Sequence, residues 1–174
     1  MTDIKSLIRT IPDFPKPGIQ FRDITTLFLD PEGTRATIDE LVKKLDGVDF
    51  DIIAGAESRG FVIGAPMAYV MNKPFVLVRK AGKLPGKTVS ETYDLEYGMA
   101  TIEIHEDAIK PGQKVVLVDD LLATGGTMKA AVNLVEKLGA EVVKTMFIIE
   151  LPALGGREVL KGYDVETLVS FEGD

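Results

Sequence analysis

The sequence contains no cysteine, which removes disulfides, thiolate metal sites and a cysteine nucleophile together. Its single histidine, His105, leaves no metal cluster to build around that residue type, so no protein-held metal is expected. His105 itself reads as a surface residue without a catalytic role. The longest apolar run, Phe61 to Met71, falls well short of the roughly 20 residues that a bilayer-spanning helix needs. Met1-Thr2-Asp3-Ile4-Lys5 carries charges where a secretory signal would place an apolar core. The expectation is a cytoplasmic protein with no membrane partner. Cations are also in short supply: 20 Lys and Arg stand against 27 Asp and Glu, a net charge of -7. Nucleic-acid affinity rests on basic surface, so a general nucleic-acid binder is excluded. The cations that exist are uneven, with Arg79, Lys80, Lys83 and Lys87 crowded into one short segment. Such a local excess suits a small polyanion better than a duplex.

What is present is enough for one domain. The 174 residues are 45% hydrophobic and 27% charged, ordinary for a globular chain with a core. No repeat, low-complexity tract or linker divides them, so residues 1–174 are read as a single unit. The organising stretch runs from Val115 to Thr127, Val-Val-Leu-Val-Asp-Asp-Leu-Leu-Ala-Thr-Gly-Gly-Thr. Its apolar, mostly β-branched start reads as a strand buried on both faces, the pattern of a parallel sheet. Asp119 and Asp120 follow where that strand should end. A helical pattern then begins, with Met128, Ala131, Val132, Val135 and Leu138 on one face and Gly139 stopping it.

The loop's chemistry follows from its residue types. Gly125 and Gly126 have no Cβ, so their amides can come close to a ligand. Thr124 and Thr127 add hydroxyl donors, and the following helix points its positive end at the turn, which suits a dianionic phosphate. Two adjacent carboxylates are poor phosphate ligands but good acceptors for neighbouring hydroxyls. Together they describe a site for a ribose 5-phosphate. The competing reading, in which the aspartates cap a turn and Gly-Gly is only a bend, explains each part but not the ordered string.

That string resembles the 5-phosphoribosyl-1-pyrophosphate (PRPP) binding motif of the type I phosphoribosyltransferases, and its Leu-Leu-Ala is similar to the adenine-specific branch. The resemblance covers nearly the whole chain. It implies a doubly wound, mostly parallel α/β sheet, with a small N-terminal hood over about 1–33 and a flexible lid loop over about 81–98. It implies transfer of the phosphoribosyl group of PRPP to adenine, giving AMP and pyrophosphate, as in purine salvage. It further implies Mg²⁺ bound mainly through PRPP itself, and a homodimer in which Arg79 acts across the interface. In this reading Thr124, Gly125, Gly126 and Thr127 hold the 5-phosphate, Asp119 and Asp120 the ribose diol, and Arg59, Lys80 and Lys83 the pyrophosphate, with Ser58 and Ala123 as further substrate-binding residues.

The remaining segments fit that frame. Residues 3 to 10 read as a short helix, and the proline-rich stretch from Pro12 into Gln20-Phe21-Arg22 reads as a loop lying over the sheet. Phe21 suits either an ordinary core position or stacking on a flat base. A helix is expected over roughly 34–45. A buried strand over 51–55 leads to Ala56-Glu57-Ser58-Arg59-Gly60. Gly55 to Gly60 has Walker A spacing, but Phe61-Val62 stands where Lys and Ser or Thr should be, so a nucleoside-triphosphatase fails on its key residues. Arg59 at such a turn is suited to bidentate pyrophosphate contact. In the resembled family the turn often carries a non-proline cis peptide, which would fall at Glu57-Ser58.

A helix over 61–71 and a strand over 75–78 precede the lid, whose polar, glycine- and proline-containing sequence reads either as a floppy insertion or as a closing element. Leu95-Glu96-Tyr97-Gly98 at its exit resembles the adenine branch, which has a glutamate at this position; a carboxyl there suits acid–base handling of the base's proton, and one more solvated acid is the alternative for Glu96. Further strands are expected over 100–105, 142–149 and 165–169, and a short helix near 157–160, giving about five strands in the sheet. Two competing functions stay open: a non-catalytic PRPP sensor, which would need a nucleic-acid-binding face this chain lacks, and a transferase for another base.

Overall fold

The computed structural model describes residues 1–95 and 97–173. The chain opens with a single 3-10 turn, Lys5–Leu7, followed by strand β1 (Arg9–Pro12), which pairs antiparallel with β2 (Gln20–Asp23) in a two-stranded sheet of its own. This corrects both the expected 3–10 helix and the expected structureless stretch. Polar Arg9, Thr10, Arg22 and Asp23 occupy this hairpin, so no apolar period marks it. It is held by side chains instead: Arg9 pairs with Asp23, and Arg22 Nη1 donates to Thr10 Oγ1 at 2.5 Å. At its turn, Asp13 Oδ1 accepts from Gly18 N at 2.7 Å.

Helix α1 (Thr25–Leu29), which sequence reasoning missed, leads to α2 (Pro31–Lys43). The latter starts earlier than expected because Pro31 sits in the first turn, where proline loses no hydrogen bond, and Asp30 caps Gly33 N at 2.9 Å.

The main sheet is then built from β3 (Ile52–Ala56), β4 (Phe75–Lys80), β5 (Thr88–Asp94), β6 (Met99–His105), β7 (Lys114–Leu122), β8 (Glu141–Glu150) and β9 (Val165–Ser170). Its order among the described residues is β5-β6-β4-β3-β7-β8-β9. From β4 to β9 neighbouring strands run parallel, while β6 is antiparallel to both β4 and β5. The sheet is thus doubly wound and mostly parallel, with seven strands rather than about five. The middle of the expected lid loop, Thr88–Asp94, is strand β5. Its inward set is Val89, Glu91 and Tyr93, and the acid in the middle hides the alternation. Glu91 is accommodated by helix α4 (Gly126–Lys137), with Lys137 Nζ at 2.5 Å and Asn133 Nδ2 at 3.0 Å.

Two apolar layers sandwich the sheet. Val115 and Leu117 of β7 pack with Val132 and Val135 of α4, whereas Val116 and Val118 pack with Ile63 and Met67 of α3 (Arg59–Met71) and Leu41 of α2. Side chains of this size contribute about 1.5–3 kcal/mol each when fully buried. A short helix, α5 (Gly156–Val159), sits between β8 and β9. Among the described residues no helix is long and apolar enough to cross a membrane. His105 is half-buried, its Nε2 2.6 Å from Pro85 O, a tether for the loop before β5.

Candidate active site

In an open α/β sheet the ends of parallel strands and the starts of the following helices meet on one edge. Here β3 runs into α3 and β7 into α4, and between them lies a cleft of about 750 Å³. Of the residues singled out from sequence, Ser58, Arg59, Lys80, Asp119, Asp120 and the loop Ala123–Thr127 line it. Gln20, Phe21, Arg22, Arg79, Lys83 and Tyr97 stand outside its lining, and Glu96 lies outside the described residues.

The acid pair falls inside β7, not beyond it. Val118 belongs to the α3 layer and so does Leu121, three residues on, so the in-out alternation slips by one across Asp119-Asp120. Both carboxylates line the same cleft. Arg59 Nε donates to Asp120 Oδ2 at 2.5 Å, which gives the buried Asp120 a cation in the ligand-free protein. Asp119 Oδ1 accepts from Asp120 N at 2.8 Å. Burial, reinforced by the charge of Asp120 beside it, pushes the Asp119 carboxyl well above the usual carboxylate range.

Beyond the pair, Gly125 adopts φ 84° as the N-cap of α4, a conformation that disfavours any side chain. It supplies no side-chain acceptor, so the first-turn amides of α4 keep the orphan donors common to helix starts. Across the cleft the Glu57-Ser58 peptide is cis, as the resemblance implied. Glu57, which sequence reasoning missed, organises the basic side. Its Oε2 accepts from Lys80 N at 2.8 Å and from Arg79 Nε at 3.2 Å. Burial would raise this carboxyl, but these two donors outweigh it and hold it below the usual range. Arg79 also donates to Lys83 O at 3.4 Å, so its head is engaged within its own chain.

Hood and lid reach towards the mouth of this cleft. The Phe21 ring centre is 5.9 Å from Arg59 Cζ and packs edge-on against Phe14 at 5.2 Å. Arg22 turns away to stack on Phe171 at 4.3 Å, with its buried Nε unpaired among the described residues. Lys16 of the hood places its ammonium 3.8 Å from the centre of Tyr97, joining hood to lid. Tyr93, also missed from sequence, lines the cleft and its hydroxyl is 3.0 Å from Thr127 Oγ1. The β-like alternation of Val89, Glu91 and Tyr93 was the available signal for it.

Residues 31–171 match a family model described as a phosphoribosyl transferase domain, which leaves the hood hairpin outside. The chain is 65% identical to the adenine phosphoribosyltransferase of Agathobacter rectalis over 99% of both sequences. The adenine phosphoribosyltransferase of Thermoanaerobacter pseudethanolicus superimposes with a TM-score of 0.95 at 53% identity, covering 97% of this chain and 98% of that one. The enzyme of Saccharomyces cerevisiae, solved with an imino-altritol bisphosphate and adenine, gives a TM-score of 0.91 at 41% identity, covering 96% and 97%.

Proposed function

The chain belongs to the adenine phosphoribosyltransferase family, and from that membership we infer that it transfers the 5-phosphoribosyl group of PRPP to adenine, releasing AMP and pyrophosphate. The observation that carries the reading is the convergence of an acid pair, a Thr-Gly-Gly-Thr loop at a helix start and an arginine-bearing turn on a single cleft.

Roles follow from chemistry. Ala123 to Thr127 hold the 5-phosphate with amides and hydroxyls against the positive end of α4. Asp119 and Asp120 accept from the ribose hydroxyls and oppose the positive charge that grows at the sugar carbon as its bond to pyrophosphate lengthens. Diol binding at Asp120 frees Arg59, which with Ser58, Lys80 and Lys83 meets the charge building on the leaving pyrophosphate. Gln20, Phe21 and Arg22 belong to the hood over the base, where Phe21 supplies the stacking face. Tyr97 closes the lid side. Glu96 manages the proton that adenine loses at N9, a role resting on its place in Leu95-Glu96-Tyr97-Gly98.

Among the described residues no group of three or more acidic or histidine side chains is placed to hold a metal. With Arg59 already on Asp120, the site fits Mg²⁺ carried by the oxygens of PRPP better than a protein cage. The ion supplies charge neutralisation at the pyrophosphate. A homodimer is supported by the outer face of α3, where Val62, Tyr69 and Val70 are 48%, 87% and 57% exposed at helical spacing. The acidic chain and the absence of a membrane-crossing helix among the described residues support a cytoplasmic enzyme without nucleic-acid partners.

Pyrophosphate release measured with PRPP, Mg²⁺ and a panel of bases tests the reading. Adenine is expected to be used about 5- to 150-fold better than hypoxanthine or guanine, because a mispaired buried polar group costs about 1–3 kcal/mol. Equal use of hypoxanthine would reassign the base.

A further inference from the structure

The 5-phosphate loop has a second side, away from the cleft, and α5 is packed against it. Gly156, the first residue of α5, lies so close that a Cβ built on it would stand 2.6 Å from Ala123 O and 2.6 Å from Leu122 Cδ1. A Cβ on Gly125, in turn, would meet Gly156 O at 3.0 Å and Val159 Cβ at 3.2 Å. The start of α5 is therefore backbone-to-backbone with the residues that cradle the phosphate.

A helix of four residues cannot hold that position by its own hydrogen bonds. Leu160 anchors its far end in the core. The near end is held by Arg157, whose Nε and Nη2 donate to the two carboxylate oxygens of Glu150 at 2.7 and 2.9 Å. Nη1 donates to Val165 O at 3.2 Å and Nη2 to Thr167 Oγ1 at 3.4 Å. Thr167 Oγ1 itself donates to Glu150 Oε2 at 3.2 Å. Glu150 is 7% exposed and is the last residue of β8, in register with Leu122, after which the phosphate loop begins. The guanidinium thus joins α5, β8 and β9 at the root of the loop. Arg157 keeps the Glu150 carboxyl below the usual range, so this pair stays charged at neutral pH.

We propose that Gly156 and Arg157 are positioning residues for the 5-phosphate loop: the Arg157–Glu150 fork holds the α5 backbone against Ala123–Gly125 and thereby sets affinity for the phosphoribosyl donor without touching it. The proposal rests on the phosphoribosyltransferase reading, because only there does the loop hold a 5-phosphate.

Two variants test it by different routes. Gly156→Ala pushes on Ala123 while leaving the fork intact. Arg157→Lys keeps the charge but cannot fork, sparing Glu150 from burial without a partner. Each is assayed for KM of PRPP, KM of adenine and kcat, and titrated calorimetrically with ribose 5-phosphate alone. Gly156→Ala is expected to raise the PRPP KM and the ribose 5-phosphate Kd about tenfold together, equivalent to ~1.4 kcal/mol. Arg157→Lys is expected to raise both about threefold. Adenine KM and kcat at saturating PRPP stay within about twofold of wild type, the mark of lost ground-state binding. An unchanged ribose 5-phosphate Kd in a folded variant, or equal rises in both KM values, overturns the proposal. If Gly156→Ala does not fold, Arg157→Lys carries the same two criteria. A wild-type protein that binds ribose 5-phosphate but does not consume PRPP overturns the function and leaves the positioning test intact.

Discussion

Adjacent carboxylates at a strand end repel each other, and the two in β7 are accommodated in different ways. Asp120 has the Arg59 guanidinium at 2.5 Å, while Asp119, half-buried, has a backbone amide. A carboxyl whose folded pKa lies above its unfolded one binds protons more tightly when folded. Stability is then lost as pH rises from the unfolded value near 4 towards the raised folded one. At neutral pH the protein therefore carries a penalty at Asp119, one of the two carboxylates proposed to hold the ribose diol. Asp119→Asn is expected to raise the Tm of the ligand-free protein at pH 7 by a few degrees, the response of a chain this size to about 1 kcal/mol. The gain should vanish below about pH 4, where both states are protonated. The same variant should lose about 10²-fold or more in turnover, because an amide cannot oppose a growing positive charge. Thermal melts at the two pH values and a steady-state assay check it, and a lower Tm at pH 7 would contradict the assignment.

Among the elements, β5 changes what the lid is. Its strand is fixed to β6 along its whole length, from Thr88 opposite His105 to Asp94 opposite Met99, and to α4 through Glu91. Tyr93 makes it a wall of the cleft, its hydroxyl 3.0 Å from Thr127 Oγ1. Tyr93→Phe removes only that hydroxyl and is expected to weaken ribose 5-phosphate binding about 2- to 10-fold, the range of a net hydrogen bond of about 0.5–1.5 kcal/mol. Isothermal titration reads this directly, and an unchanged Kd would free Tyr93 from the site. Elements such as β3, β7, β8, α3 and α4 are legible in sequence because each carries a sustained apolar run or helical face. The phosphate loop is legible because Asp119 to Thr127 are neighbours in the chain. Tyr93 lies 34 residues from Thr127 and Glu57 22 from Arg79. No local pattern encodes those meetings. The hairpin of β1 and β2 stays hidden for another reason: paired charges hold it, not a buried face.

For the molecule as a whole, α3 presents Val62, Tyr69 and Val70 outward, and Leu77 of β4 is 39% exposed. A second copy covering that face would bury apolar side chains that a lone chain leaves in water. Sedimentation should therefore give twice the 18.9 kDa chain mass, and Tyr69→Glu should shift the species towards the monomer without unfolding it. A wild-type monomer at micromolar concentration would remove the dimer. A different consequence attaches to the hood. Its strands form a sheet separate from the seven-stranded one, in a stretch that the shared domain, residues 31–171, does not include. On the proposed reading, the cover over the base and the sheet that holds the activated sugar are thus written in different parts of the chain. Descent can redraft the cover over the base within some thirty N-terminal residues, while the inherited sheet and the Leu95-Glu96-Tyr97-Gly98 motif stay as they are.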